Sequence, residues 1–267
     1  MRTADLILAL FTFYFRPVAE GFPISGLIRA LDLLGISEDG ARCAVSRLKR
    51  EGWLAQDGQG TRGVYRLSQE GERRAAGLVP SENLVPPANW DRTWHIVSYW
   101  LPETKRPWRD DLRDHLQALG YGRLNPGTYL APSGREGAVR ARLAELGLEK
   151  AVHSFRARYD GAEEGQLVGL LWDLSAIDQR YRSFLAKYQP IYQQFRELPQ
   201  APGHVSFVGH LYLNLDYAEV LALDPRLPAE LLPDDWPAAE AARLFAEYQD
   251  YLHGPAREFV TELLATG

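Results

Sequence analysis

Apolar residues recur at helical spacing from the start of the chain: Leu6, Ile7, Leu10 and Tyr14 share one side of a helix over Thr3–Phe15. The later turns of that helix carry Phe11, Phe13, Tyr14 and Phe15 on all sides, more than one small domain needs to bury. Either this surplus meets another domain or subunit, or the first helix is simply buried all round. Ile24–Leu34 has a second helical period, closed by Gly35. Ser37 then offers an N-cap, with Glu38 and Asp39 in the first turn, where the helix dipole favours acids. The third helix runs to about Glu51 and is stopped by Gly52. Its Ala41, Ala44, Val45 and Leu48 fall within an arc of about 100°, the width of a core-facing stripe. Leu54–Arg66 follows as two short strands around the glycine-rich run from Asp57 to Gly63.

The pattern then changes. Gly77–Asn89 holds Pro80, Pro86 and Pro87 without a sustained apolar period, and it reads as the heart of a linker over 77–93. Beyond it, Trp94–Trp100 is strand-like. A helix over Arg106–Leu119 buries Leu112, Leu116 and Leu119, Thr128–Ala131 is a short strand, Glu136–Leu146 a second helix and Val152–Tyr159 a further strand. The order β-α-β-α-β, with one more strand near Leu124, predicts a ferredoxin-like α+β domain over 94–171. From Asp173 onward the text is helical. Tyr181, Phe184, Leu185, Tyr188, Ile191, Tyr192 and Phe195 form an aromatic stripe with Pro190 as a kink or break, and Phe207–Leu223 continues the helical text. Asp224–Pro237 carries four prolines and leads into a last helix from Ala238, which buries Leu244, Phe245, Tyr248 and Leu252. The expected class is α+β: an N-terminal domain over 1–76, the central domain, and a mainly helical C-terminal domain over 172–267.

Composition changes this picture little. The chain has 267 residues with 46% hydrophobic and 24% charged positions, an ordinary globular balance. A single cysteine, Cys43, rules out an internal disulfide, and no segment has the length or flanks of a membrane span or a signal peptide, so the expected compartment is the cytoplasm. Charge changes it more. The net is −5, yet residues 1–88 carry 11 Lys/Arg against 10 Asp/Glu, and residues 89–267 carry 19 against 25. Binding to phosphates depends on a local field rather than on that sum.

The basic patch is on the outer face of the third helix, opposite its small apolar stripe. Arg42, Cys43, Ser46, Arg47 and Arg50 lie there, with Lys49 at the edge. Arginine matches guanine O6 and N7 bidentately, and both arginine and lysine hold phosphates. The order helix, helix, basic helix, glycine-rich hairpin predicts a winged helix-turn-helix bound to double-stranded DNA. Ser37, Arg42, Ser46, Arg47 and Arg50 are its candidate groove contacts, and Lys49, Arg62 and Tyr65 its candidate backbone or minor-groove contacts. Cys43 has no second cysteine to pair with and reads as a spectator thiol rather than a redox sensor. Enzyme chemistry finds little support: His204 and His210 lack a zincin pattern, and there is no serine elbow, P-loop or dinucleotide fingerprint. No catalytic residue, metal ligand or cofactor is expected.

The middle segment resembles the small CRISPR-associated nucleases of the Cas-two family. Their metal-binding acid stands at the end of the first strand, where this chain has Trp100 or Leu101-Pro102, so that likeness implies no anchor for a metal. Over nearly its whole length the chain resembles the PaaX family of bacterial repressors. The resemblance rests on Ala41-Arg42-Cys43-Ala44-Val45-Ser46-Arg47-Leu48, Gly52-Trp53-Leu54, Pro102-Glu103, Arg109-Asp110 with Leu112-Arg113, Leu119-Gly120-Tyr121-Gly122, Pro126-Gly127, Ala131-Pro132 and Leu171-Trp172-Asp173-Leu174. It rests most on the run from Asp224-Pro225-Arg226-Leu227-Pro228 through Leu231-Leu232-Pro233-Asp234-Asp235-Trp236-Pro237. The resemblance implies a homodimeric repressor of phenylacetate catabolic genes, released from its operator by phenylacetyl-CoA. An acyl-CoA effector needs cations beside an apolar slot, and Arg106, Arg109, Arg113 and Arg123, facing Tyr188 and Tyr192, are the candidates. The same arginines have Glu103, Asp110, Asp111 and Asp114 within reach as ion-pair partners. The competing readings are a metal-dependent nuclease of the CRISPR-associated type and a constitutive DNA-binding protein without an effector.

Overall fold

Helix α1 (Thr3–Leu10) buries Leu6, Ile7, Leu8 and Leu10 and continues as a π-helical turn over Phe11–Phe15. A computed structural model of the chain describes residues 3–15, 21–57, 63–76, 90–132, 134–161, 163–198 and 201–265. Strand β1 (Phe22–Pro23), α2 (Ile24–Asp32), α3 (Glu38–Arg50), β2 (Leu54–Asp57), β3 (Val64–Leu67) and α4 (Gln69–Ala76) follow. The three strands form one antiparallel sheet in the order β1-β3-β2. Two elements here differ from the expectation. The two-residue β1 is too short to show a period, and α4, with Gly71 inside it, has a weak apolar pattern. The expected linker core, Gly77–Asn89, lies outside the described residues.

The aromatic surplus of the first helix has a destination. The N-terminal segment forms one unit with Arg182–Leu221 and Ala239–Gly267. Its core joins Phe11, Tyr14, Phe15, Leu27, Leu31 and Leu48 to Phe207, Leu211 and Leu215 of α9 (Gly203–Leu223) and to Ala256 and Val260 of α10 (Ala238–Ala265). The Tyr14 hydroxyl is 2.7 Å from His210 Nδ1. The C-terminal helices therefore complete the core of the N-terminal segment. They also hold an aromatic cluster of their own, in which Tyr217 stacks on Phe245 with ring centroids 4.1 Å apart and Tyr192 meets Tyr248 at 5.2 Å. Proline at position 190 does not end α8 (Leu174–Phe195), although an interior proline removes a helical hydrogen bond and costs about 3 kcal/mol. Rings on both sides of it, Tyr188 and Tyr192, contact Tyr248.

The second unit, Glu82–Tyr181 with Ala222–Ala238, contains β4 (Trp94–Tyr99), α5 (Arg106–Ala118), β5 (Gly122–Asn125), β6 (Thr128–Pro132), α6 (Glu136–Leu146), β7 (Val152–Ala157) and α7 (Glu164–Leu171). Its antiparallel sheet has the order β5-β6-β4-β7. Alternation along the strands sorts the faces. Val97, Tyr99 and Tyr129 pack with Leu112 and Leu116 of α5 and Val139 of α6, while Trp94 and Leu130 pack with Leu167, Val168, Leu227 and Leu231. The proline-rich connection is pinned to this unit, since Arg135 donates to the carbonyls of Pro225 at 2.7 Å and Arg226 at 3.1 Å. The unexpected helix α7 is eight residues long and contains Gly165 and Gly169, so its helical period is short and its propensity poor.

Candidate nucleic-acid interface and arginine cleft

Ser37 starts α3 as an N-cap. Its backbone is extended (φ −60°, ψ 156°), and its hydroxyl accepts from the amide of Gly40 at 3.3 Å. Gly52, at φ +75°, ends the helix in the left-handed conformation that glycine adopts without strain. Ala41, Ala44, Val45 and Leu48 are buried, and the small alanines let α3 sit close to α1 and α2. The opposite face is open: Arg42, Cys43, Ser46, Arg47, Lys49 and Arg50 are all exposed.

These exposed side chains are not equivalent. Arg42 is held by Glu38 one turn earlier, with its Nη2 2.7 Å from the carboxylate. Lys49 donates to Gln56 on β2 at 2.6 Å, tying the helix to the ribbon. Ser46, Arg47 and Arg50 make no side-chain hydrogen bond or ion pair with any described residue. On the ribbon Arg66 pairs with Asp57 at 2.8 Å, which holds that carboxyl below its ordinary pKa. Arg62 lies outside the described residues. Tyr65 is half-buried and packs against the core, with Phe22 and Gln56 as its strand partners.

In the other unit Arg106, Arg109 and Arg113 recur on one face of α5. On the sheet, Arg123 of β5 pairs with Tyr129 of β6, whose other neighbour is Val97 of β4. These four arginines line a cleft of about 440 Å³ together with Tyr99, Trp100, Leu101, Asp110, Pro126, Gly127 and Tyr129. Gly127 has φ +95°, and a Cβ there would sit 2.4 Å from the Tyr99 carbonyl oxygen, so the turn that closes the cleft requires glycine. The Tyr99 and Tyr129 rings are stacked 6.0 Å apart, and burial with a mutual hydrogen bond pushes the Tyr99 phenol well above its ordinary pKa. Trp100 is 84% exposed at the cleft. Tyr188 and Tyr192 are not among its lining residues. They belong to the other unit, where the Tyr188 hydroxyl donates to Asp216 at 2.7 Å.

Three family models match the chain in order: "PaaX-like protein" over residues 2–71, "PaaX protein central Cas2-like domain" over 87–168, and "PaaX-like protein C-terminal domain" over 172–262. The chain belongs to the PaaX family. It is 28% identical over 249 residues to the "Transcriptional repressor PaaX" of Escherichia coli (strain K12), covering 90% of this chain and 77% of that protein. Among solved structures it is similar to an uncharacterized protein of Mycobacterium tuberculosis, with a TM-score of 0.59 and 24% identity over 94% of this chain and 97% of that one, a likeness of fold alone.

In this PaaX chain the end of the first sheet strand of the Cas2-like segment is followed by Trp100, and no group of His, Cys, Asp or Glu among the described residues is arranged to hold a metal. Sequence reasoning missed Tyr99, Trp100 and Tyr129 as lining residues. The alternation of β4 puts Val97 and Tyr99 on one face, but their meeting with Tyr129 depends on pairing with β6, which no local pattern encodes.

Proposed function

We propose that this chain is a DNA-binding transcriptional repressor that acts as a homodimer through an N-terminal winged helix-turn-helix, with α3 as the recognition helix. The observation that carries this reading is the face of α3: two exposed arginines, Arg47 and Arg50, lack a partner among the described residues and flank a core stripe that seats the helix firmly. Arg42, Ser46 and Arg50 complete the groove-facing set with Arg47, Ser37 caps the helix, and Lys49, Arg62 and Tyr65 on or near the ribbon are the proposed backbone contacts. The E. coli relative, named a transcriptional repressor, supports the class. The βαββαβ order and the sheet order of the second unit support a ferredoxin-like central domain.

The regulated genes in this reading are those of aromatic-acid (phenylacetate) catabolism, in the cytoplasm. The effector is an acyl-CoA such as phenylacetyl-CoA, with Arg106, Arg109, Arg113 and Arg123, which line one cleft, as its candidate cations. Release follows by linkage, the effector binding more tightly to a form of the dimer that misplaces its two recognition helices. No helix among the described residues is long and apolar enough to cross a membrane.

The test is binding to DNA upstream of the protein's own gene neighbourhood, at fixed salt, with and without phenylacetyl-CoA. Specific binding that the thioester abolishes supports both halves of the reading, and binding that ignores it removes the effector. Absence of specific binding removes the repressor. Cys43, exposed between Arg42 and Ala44, supplies a second readout, because a bound operator should protect it from maleimide.

A further inference from the structure

Pro225, Pro228, Pro233 and Pro237 divide the run that links α9 to α10. Each fixes its own φ, so the run is a stiff strap that passes on a displacement instead of absorbing it. It is also firmly seated. Leu227 and Leu231 are buried with Trp94 and Leu130, and Arg135 grips the carbonyls of Pro225 and Arg226. Arg226 has φ +51°, a left-handed conformation that an arginine keeps where its neighbours hold it. Its amide donates to Asp224 Oδ1 at 2.7 Å.

One residue meets both ends of this strap. Tyr181 is buried on α8, where its hydroxyl donates to Asp224 Oδ2 at 2.5 Å. Its ring stands edge-on to that of Trp236, with centroids 6.1 Å apart. The Trp236 indole nitrogen is buried and makes no hydrogen bond with a described residue, so ring contact sets its place. Asp224 directly follows α9, and Trp236 stands just before α10. Tyr181 is itself the last residue of the second unit before α8 continues into the other as Arg182. The chain therefore passes between the units at 181–182, 221–222 and 238–239, each beside this one side chain or a residue it touches. On the far side of two of these passages α9 and α10 complete the core that seats α3.

We propose that Tyr181 is a positioning residue for DNA recognition. By holding Asp224 and Trp236 together it fixes where α9 ends and α10 begins, and so the register of the core on which α3 rests. A hydroxyl bonded to a carboxylate at this length is of the strong, charge-assisted kind, which suits a clamp. A change in the second unit reaches α3 through it, because Gly120, just past α5, and Arg135, after β6, both meet the strap at Pro225. The proposal rests on the reading of the chain as a repressor, and it assigns what carries a signal rather than which ligand sends it.

The test is operator binding by fluorescence anisotropy on the full-length protein, with hydrogen exchange measured by mass spectrometry on the same samples. Tyr181→Phe keeps the ring and removes the hydroxyl. Tyr121→Phe is the control, since it removes a buried hydroxyl of the same unit that is 2.5 Å from His95 Nδ1 and does not touch the strap's ends. Tyr181→Phe should weaken operator binding by about tenfold and leave its salt slope unchanged, because no phosphate contact is lost. Tyr121→Phe should lower the melting midpoint by a similar amount and leave operator binding as it was. Exchange in Tyr181→Phe should quicken in Leu215–Leu223 and Ala238–Leu244, while β4 and β6 stay protected. Asp224→Asn should have a smaller effect in the same direction and add little to Tyr181→Phe. Where Tyr181→Phe does not fold, Asp224→Asn carries the same comparison. Unchanged operator binding in Tyr181→Phe, an equal loss in Tyr121→Phe, or faster exchange confined to the strap overturns the proposal. If the unaltered chain binds no operator, the repressor reading falls, and exchange in α9 and α10 still decides the clamp.

Discussion

Helices α3 and α5 are both thirteen residues long, both amphipathic, and both arginine-rich on the exposed side, yet their charges are arranged for different work. On α3 the acids are confined to the first turn, so only Arg42 finds a partner, and Arg47 and Arg50 face solvent alone among the described residues. On α5 the acids are interleaved with the arginines. Arg106 and Arg113 meet Asp110 at helical spacing, and Arg109 reaches back to Glu103. A helix of the first kind presents a field to a polyanion. One of the second kind presents a network of exposed ion pairs whose charges largely cancel locally. Counting arginines does not distinguish them, and the spacing of the acids does.

The largest expected effect should be the same on both sides of this comparison. Leu48 of α3 and Leu112 of α5 are both fully buried, in separate cores. Replacing either with alanine removes buried methyl groups and opens a cavity, at a cost of about 2–5 kcal/mol. Urea unfolding followed by circular dichroism measures it. A large cost at Leu112 with a negligible one at Leu48 would mean that α3 is not seated on its core, and its outer face could not then hold a register on DNA.

Acid should weaken both units, and most of all the one that holds α3. His210, in the unit that holds α3, is buried beside the Tyr14 hydroxyl, with the His253 ring 5.5 Å and the Phe13 ring 6.5 Å away. Burial, reinforced by His253, lowers its pKa from 6.5 to about 4. The folded protein keeps His210 neutral where the unfolded chain takes up a proton, so unfolding binds protons between these values. Stability contributed by this group is complete above pH 6.5 and falls by about 3 kcal/mol as the pH drops towards 4. His95 and His115 of the other unit are also lowered by burial, so that unit leans the same way. Unfolding midpoints between pH 7 and pH 4.5 should fall, and His210→Asn should flatten the slope in the unit that carries α3. An unchanged slope in that variant would assign the acid sensitivity elsewhere.

The comparison is tested most directly by paired arginine removals. Arg47→Ala and Arg50→Ala should each weaken operator binding by about 1–3 kcal/mol if the lost contact is a bidentate base contact, and should lower the salt slope by about one if it is a phosphate contact. Arg109→Ala and Arg113→Ala should leave DNA affinity unchanged, because those guanidinium groups are already neutralised. Equal losses from both pairs, by fluorescence anisotropy at fixed salt, would show that the two helices do not differ in the way their acid spacing indicates.

Much of this contrast was legible in the chain, and the remainder was hidden for identifiable reasons. The inner stripe of α3 and its serine cap are local patterns, and they sit in the structure where the periodicity puts them. So does α6, whose bounds match. Helix α7 was hidden by its two glycines, and β1 by its length. At the cleft, Arg106, Arg109 and Arg113 share a face through spacing alone. Arg123 joins them only because β5 pairs with β6, a contact made across the sheet. Tyr188 and Tyr192 looked like ligand contacts because an aromatic stripe does not announce what covers it. Asp216 and Tyr248, far along the chain, occupy them.

The smallest expected effect is also the sharpest test of the α3 arrangement. Glu38 does two things there: it places a negative charge in the first turn, which the helix dipole favours, and it holds Arg42 at 2.7 Å. Glu38→Gln removes both. The helix should lose a few tenths of a kcal/mol from the dipole interaction and the exposed pair. DNA affinity should move the other way, rising a few-fold, because Arg42 is released to join Arg47 and Arg50 and an acid is withdrawn from a surface that meets phosphates. A lower unfolding midpoint together with tighter operator binding is the expected signature, and the gain should shrink with added salt. If stability and affinity fall together, Arg42 is not part of the surface that meets DNA, and the pair with Glu38 serves the helix alone.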